Sequence, residues 1–408
     1  MRSRAFLSLY ASLFVATMGI SMVGPLLPVF ARDLGASGVW LGLTFSAFAV
    51  AQAFVGPFAG RWSDRYGRKP FIVAGLLIYF VAALGYLTAG SFYQVIAFRA
   101  FTGLGTSLIF SVSRAYVGDM TPPGQEGRWF GVYATADFIG FGTGPVVAGI
   151  LREVLGFRSV FVAMALMMAA AAVIVAMALP KTPPVTWDRR GVAVRAPSVG
   201  LLHALKDRLA LAMTLHMTLQ ALAGGATFAF LGLRLENDLG ATPFMVGIAF
   251  ATQDVTGGVA QPLWGRIADR ANRRAMVAIG LAWNGILLVA LGYAPSYSLA
   301  FCALFAAGAG GAAAMVASSA IQVVAGRRVG MGTLLGLGAA GNGFGMVTGS
   351  VVGGLLADSF TLSTAFLFGG IVTVAGTGLF LALTRGLATS EPTATAAIPV
   401  APEPAAPG

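Results

Sequence analysis

The chain has one cysteine, two histidines and few charges: only 10% of its 408 residues are charged, and only 15 of those are acidic. Cys302 has no partner for an intrachain disulfide, and its place in an apolar run suits a small packing residue. No His/Cys metal cluster, P-loop, GxSxG elbow or catalytic triad stands outside the apolar runs, and no loop is long enough for an enzyme domain. The GLGAAG that begins at Gly336 has dinucleotide-loop spacing, but no strand precedes it and it lies in an apolar run, so it is helix packing. Soluble domains carry about 25% charged and about 45–50% apolar residues. Here 57% are apolar and the mean hydropathy is +0.82, which excludes a soluble enzyme.

What remains is a succession of apolar runs of membrane-spanning length. Such runs, rather than short alternating ones, require helices and exclude a barrel, because backbone polar groups in hydrocarbon must be satisfied within the segment. Twelve spans are predicted, near 6–31, 38–60, 70–90, 93–117, 127–151, 157–180, 209–233, 242–265, 273–293, 296–324, 329–357 and 361–384. The fold class is all-α integral membrane: a six-helix bundle over 1–180, a cytoplasmic linker over 181–208, a second bundle over 209–385 and a disordered Pro/Ala-rich tail over 386–408. Within the linker, 199–208 is a candidate surface helix. Residues 1–31 are too long an apolar start and lack a small-residue cleavage site, so they are expected to be retained as the first helix.

Lys and Arg resist translocation, so their distribution orients the chain. Twenty fall on the side of the termini and four, Arg32, Arg152, Arg158 and Arg234, on the other; Arg99 and Arg114 lie inside spans. Both termini are therefore expected in the cytoplasm, with the chain in the cell inner membrane. The net charge of +11 serves topology and contact with anionic lipid headgroups; it forms no continuous face for nucleic acid.

Two stretches interrupt the apolar pattern with similar charge clusters, GRWSDRYGRKP from Gly60 and GRIADRANRRA from Gly265. A shift of 205 residues superposes Gly60 on Gly265, Asp64 on Asp269 and Arg65 on Arg270. The same shift carries Asp33-Leu34-Gly35-Ala36 onto Asp238-Leu239-Gly240-Ala241, Gly42 onto Gly247, Phe45 onto Phe250, Gly103 onto Gly308, and Gly144 and Gly149 onto Gly349 and Gly354. One ungapped shift over separated regions indicates two six-helix halves of common design, related by a parallel repeat, with a site at their interface near the bilayer midplane.

Gly60, Asp64, Arg65, Gly67, Arg68 and Lys69 resemble the signature between the second and third helices of the major facilitator superfamily, with Trp62 where a Leu is more usual. The resemblance covers about residues 5–385 and implies a conformational latch made of Gly60, Asp64, Arg65, Gly67 and Arg68 with Asp119, Asp269 and Arg270. In such a latch Asp64 caps the start of the eleventh helix, where amide groups favour a carboxylate, and the outward-open state is stabilised. In the span 127–151, Gly140, Gly144, Pro145 and Gly149 resemble the antiporter motif of 12-helix drug:proton exporters. Gly140 and Gly144 form a small-xxx-small stripe, expected to face the span 242–265 across the interface, and Pro145 bends the helix there. Arg99 in RAFTGLG resembles a further family motif whose Arg is implicated in proton coupling.

Ionisable residues buried in a membrane are costly, and Asp137 and Asp254 lie deep in their spans. Their counterparts in the other half are Asn342 and Ala49, so carboxylates have been added asymmetrically to a symmetric scaffold. A carboxylate taken out of water binds a proton more readily, and a neighbouring Arg opposes this. Asp137 is the expected proton carrier with Arg99 as its modulator, and Asp254 is a second carrier or a contact for a cationic group on substrate. His216 is a further titratable candidate, though such residues are more often packed in place. Aromatic residues within spans suit flat, lipophilic molecules, and the expected substrate contacts are Asp254, Phe141, Tyr133, Phe250 and Asn342. Two classes of function remain: proton-coupled export of a small amphipathic compound, with the proton gradient as energy source and no cofactor; and uptake or facilitated passage of a small polar metabolite by a symporter or uniporter. A non-transporting sensor is a third. A monomer is expected.

Overall fold

A computed structural model describes residues 4–120, 126–180, 204–268 and 271–387. Most of the expected linker, the tail beyond 387, and Asp269 and Arg270 lie outside the described residues. Among those described, the chain is helical without strands: α1 (Arg4–Val23), α2 (Leu27–Asp33), α3 (Gly38–Tyr66), α4 (Arg68–Thr88), α5 (Phe92–Met120), α6 (Glu126–Leu155), α7 (Phe157–Ala178), α8 (Arg208–Leu233), α9 (Pro243–Ala268), α10 (Arg273–Tyr293), α11 (Tyr297–Val329), α12 (Met331–Ser359) and α13 (Leu362–Leu383). With α1 and α2 counted together, these match the twelve expected spans to within a few residues. The first span is broken where Pro25 and Pro28 remove amide donors, and Pro28 sits in the opening turn of α2, where a missing N–H is tolerated.

Ten stretches are long and apolar enough to cross a membrane by length and composition. The two long helices without one are α9, which carries Gln253, Asp254 and Gln261, and α12, with nine glycines. Helix starts follow local chemistry. The Asp207 carboxylate accepts from the amides of Leu209 and Ala210 at α8, and Asn272 Oδ1 from Ala275 at α10. The repeated Asp-Leu-Gly-Ala segments are matching corners: Gly35 and Gly240 have φ of +90° and +66°, a region costly for any side chain with a Cβ. The second corner differs in being approached through a π turn, Arg234–Asp238, that continues α8.

The helices form two sets, α1–α7 and α8–α13, joined chiefly where α3 packs on α12 and α6 on α9. Small residues permit close crossings inside each set. A Cβ added at Gly75 would lie 2.7 Å from the carbonyl oxygen of Gly105, and one at Gly370 would lie 2.6 Å from that of Gly285. Between the sets the fit changes along the bundle. At the far end, away from the termini, Gly42 abuts the carbonyl of Ser350, Gly247 that of Pro145, Gly149 that of Pro243 and Gly354 that of Gly38. Towards the end that carries the termini, a Cβ at Gly56, Gly265 or Gly336 would meet nothing within 4 Å. The two sets are thus sealed at the far end and splayed at the terminal end.

Candidate functional site

Above the seal lies a cavity of about 460 Å³. Among the described residues of the first set, Phe138 lines it. The second set supplies the polar wall: His216 and Gln220 from α8, Gln253, Asp254 and Gln261 from α9, Asn284 from α10, and Ser318, Ser319 and Gln322 from α11, with Phe228 and Phe250 as its aromatic part. The Nδ2 of Asn284 donates to Oε1 of Gln220 at 3.0 Å, which fixes both amides. His216 is 2% exposed and its Nδ1 has no hydrogen-bond partner. A smaller cavity of about 210 Å³ shares Met217 and Gln322 with the first and reaches Asn342, Leu334 and Leu335, so the open space continues towards the terminal end. Of the residues expected to contact substrate, Asp254 and Phe250 line the larger cavity and Asn342 the smaller. Phe141 and Tyr133 do not line this space. Phe141 stacks on Phe110 with ring centroids 6.2 Å apart, and Tyr133 is 3% exposed inside the first set. The amides at 220, 253, 261, 284 and 322 were absent from the sequence expectation, although uncharged polar residues recurring in apolar spans are a signal that marks such a wall.

The charges of the first set are arranged differently from expectation. Arg99, 6% exposed, lies over the rings of Phe45 and Phe48, at 5.0 and 4.4 Å from their centroids, and its Nε has no hydrogen-bond partner. Tyr79 and Tyr86 flank it. The cation is thus held by aromatic faces rather than by a carboxylate. The positive charge that acts on Asp137 is Arg114 of α5, which also acts on Tyr133. Arg99 and Arg114 stand fifteen residues apart on α5, so in this conformation they lie on different levels of the helix. Oδ1 of Asp137 is buried without a hydrogen-bond partner.

A second correction concerns α6. The stripe of Gly140 and Gly144 does not face α9: it packs on α1, against Thr17 and Ser21, whose hydroxyls donate to the carbonyls of Ala136 and Gly140 at 3.3 and 3.1 Å. The surface turned to α9 carries Phe138, Gly142, Pro145 and Gly149, where Gly142 meets Val255 and Phe138 meets Gly258. At 100° per residue, Gly149 lies half a turn away from Gly140, so the four motif residues serve two faces. The same division recurs in α12, where Gly345 and Gly349 pack on α8 and Gly354 on α3.

Of the latch residues, the side chains of Gly60 and Asp64, like Asp269 and Arg270, lie outside what is described. Gly67, at φ +92°, turns the corner from α3 to α4. Arg68 is buried and donates from Nε to Asp119 Oδ2 at 3.0 Å and from Nη1 to Ser63 Oγ at 2.7 Å, tying α3, α4 and α5 together. Lys69 donates to the carbonyl of Leu179 at 2.8 Å, adding α7. Arg65 is exposed beside the ring of Tyr66.

This architecture has counterparts. The sequence profile described as Major Facilitator Superfamily matches residues 9–233 and again 213–407. An uncharacterized MFS-type transporter from Methanocaldococcus jannaschii is 25% identical over 90% of this chain and 94% of its own length. Multidrug resistance protein 2 from Bacillus subtilis is 26% identical over 92% and 94%. Quinolone resistance protein NorA from Staphylococcus aureus is 32% identical over 36% of this chain and 38% of its own. In fold, the chain is similar to a bacterial homolog of the human lysosomal transporter Spinster in an inward-facing conformation, with a TM-score of 0.75 at 17% identity over 94% of this chain and 96% of that one. The nucleoside transporter NupG gives 0.76 at 16% identity over 94% and 100%. Two joined sets of helices around a polar cavity, sealed at one end, are what a membrane transporter needs, and the chain belongs to the major facilitator superfamily of multi-pass membrane transporters.

Proposed function

We propose that the chain is a proton-coupled exporter of a small amphipathic or lipophilic compound, working as a monomer by alternating access in the cell inner membrane with its termini in the cytoplasm. The observation that carries this reading is the cavity: one acidic side chain, Asp254, among amides and aromatic rings, reached from the terminal end and sealed from the far end. The names of the multidrug- and quinolone-resistance relatives agree with export. In this orientation the described conformation receives substrate from the cytoplasm or the inner leaflet. The flat apolar part of the substrate rests on Phe138, Phe228 and Phe250, and Asp254 meets a cationic or hydrogen-bonding group. Opening of the far end then delivers the substrate outward, driven by the proton gradient.

Asp137 is the proton carrier in this proposal. It lies deep in α6, and its Oδ1 is buried without a hydrogen-bond partner. Proteoliposomes with a trapped pH dye and an imposed gradient test the reading on a panel of lipophilic cations, zwitterions and anions. Substrate-dependent proton flux in the wild type that disappears in Asp137→Asn is the expected result. Transport that ignores the gradient in both proteins would make the chain a uniporter.

A further inference from the structure

The seal at the far end contains two carboxylates that no motif singled out. Asp358, at the end of α12, accepts from the amides of Gly38 and Val39 at 2.5 and 3.0 Å, so it caps the start of α3 in the opposite set. Glu153, at the end of α6, accepts from the amide of Phe244 at 3.0 Å and caps the start of α9, again in the opposite set. The shift of 205 residues that relates the two halves carries Glu153 onto Asp358 and Val39 onto Phe244. The two caps are therefore one interaction made twice, with donor and acceptor exchanged between halves.

We propose that Glu153 and Asp358 are gate-positioning residues that set the balance between the far-end-sealed and far-end-open conformations. The physics is differential. Each carboxylate satisfies amides that a helix start leaves unpaired and lies at the positive end of that helix. Both partners of each cap are on different halves, so each cap exists only while the far end is closed. An interaction present in one state alone shifts the equilibrium by its whole strength. Intrahelical caps serve folding; caps made across a moving interface serve the choice of state.

The two are unequal, and the sequence states why. The residue matching Gly38 is Pro243, which has no N–H, so Glu153 has one donor where Asp358 has two. Beside the weaker cap stands a bidentate ion pair between Arg152 and Glu236, one of whose bonds is 2.8 Å from Nη2 to Oε2. The position matching Arg152 is Ala357, so the stronger cap has no such neighbour. The side with one amide bond has an ion pair that crosses between the halves; beside the side with two, the ion pair of Arg234 with Asp238 lies within one half. Gly38 and Asp358 also border a vestibule of about 560 Å³ at the far end, together with Arg32, Arg234 and Asp238. The stronger cap is accordingly reached by water from outside and is only partly protected.

The experiment rests on alternating access but needs neither substrate nor proton coupling, so its outcome is separable from that of the export reading. In a Cys302→Ser background, spin labels at Leu155 and Leu299, both exposed, report the width of the far end, and labels at Tyr66 and Leu335 report the terminal end. Asp358→Ala should raise the far-end-open population about fivefold relative to the sealed one, Glu153→Ala about twofold, and the double variant about the product of the two. Asp358→Asn, which keeps an acceptor without the charge, should fall between the wild type and Asp358→Ala. Pro243→Ala restores the missing donor and should shift the balance the other way. Distance distributions that stay unchanged in Asp358→Ala, Asp358→Asn and the double variant, with the protein folded, would overturn the proposal. So would a lower melting temperature without a change of distances, which marks a merely structural role.

Discussion

The two walls that face each other across the central cavity share a backbone plan and differ in chemistry. The wall from α8–α13 presents amides, hydroxyls, His216 and Asp254 to the space. Among its described residues the wall from α1–α7 gives it Phe138, and keeps Arg99 and Asp137 behind, Arg99 over the rings of Phe45 and Phe48. Duplication gave both halves the same crossings, as the matched contacts of Gly42 with Ser350 and Gly247 with Pro145 show. Side chains then diverged, so among the described residues the polar groups that reach the cavity gather in one half, while Arg99 and Asp137 of the other stay behind its wall.

That division of labour yields graded expectations. The largest effect belongs to Asp254→Asn, because a bond to a charged group in a desolvated site is worth about 1.5–3 kcal/mol: affinity for a cationic substrate should fall about 10–100-fold, measured by equilibrium binding to the purified protein. Equal loss for a neutral analogue would show that Asp254 shapes the cavity rather than reading charge. Next, Asp137→Asn should leave that affinity within about twofold while abolishing substrate-driven proton flux; a parallel fall in both would erase the distinction between the walls. Gln220→Ala frees Asn284 and removes one neutral hydrogen bond, so affinity should drop about fivefold with no change in proton stoichiometry, read by paired binding and flux assays. Arg99→Lys exchanges a planar cation for a compact one over Phe48 and should lower stability by about 1 kcal/mol, seen in thermal unfolding, with affinity unchanged. Phe141→Leu should be smallest, within about twofold in every assay, since its ring stacks on Phe110 away from the cavity.

Much of this was legible in the sequence. Run lengths gave the spans, and the ungapped shift gave the repeat, because both are one-dimensional signals that membrane packing enforces directly. The partner of a helix face is not such a signal. Helix α6 has small residues on two sides, and nothing in their spacing says that Gly140 meets Thr17 while Gly149 meets Pro243. Asp137 was visible as a costly carboxylate, but which side chains surround it depends on the rotation and height of α5, which only packing fixes. Tyr133 and Phe141 stand out in the sequence as aromatic residues within a span, but which way they face is set by rotation about α6, which buries Tyr133 and stacks Phe141 on Phe110.

At four points of the far-end seal a main-chain carbonyl rests on a glycine: those of Ser350, Pro145, Pro243 and Gly38 on Gly42, Gly247, Gly149 and Gly354. Main chain cannot be substituted, so at these four contacts the mutational lever is the glycine itself, beside the two carboxylate caps of Glu153 and Asp358. Residues around the cavity are then free to drift toward new compounds without loosening the opposite end, and closure can stay constant while the cargo changes.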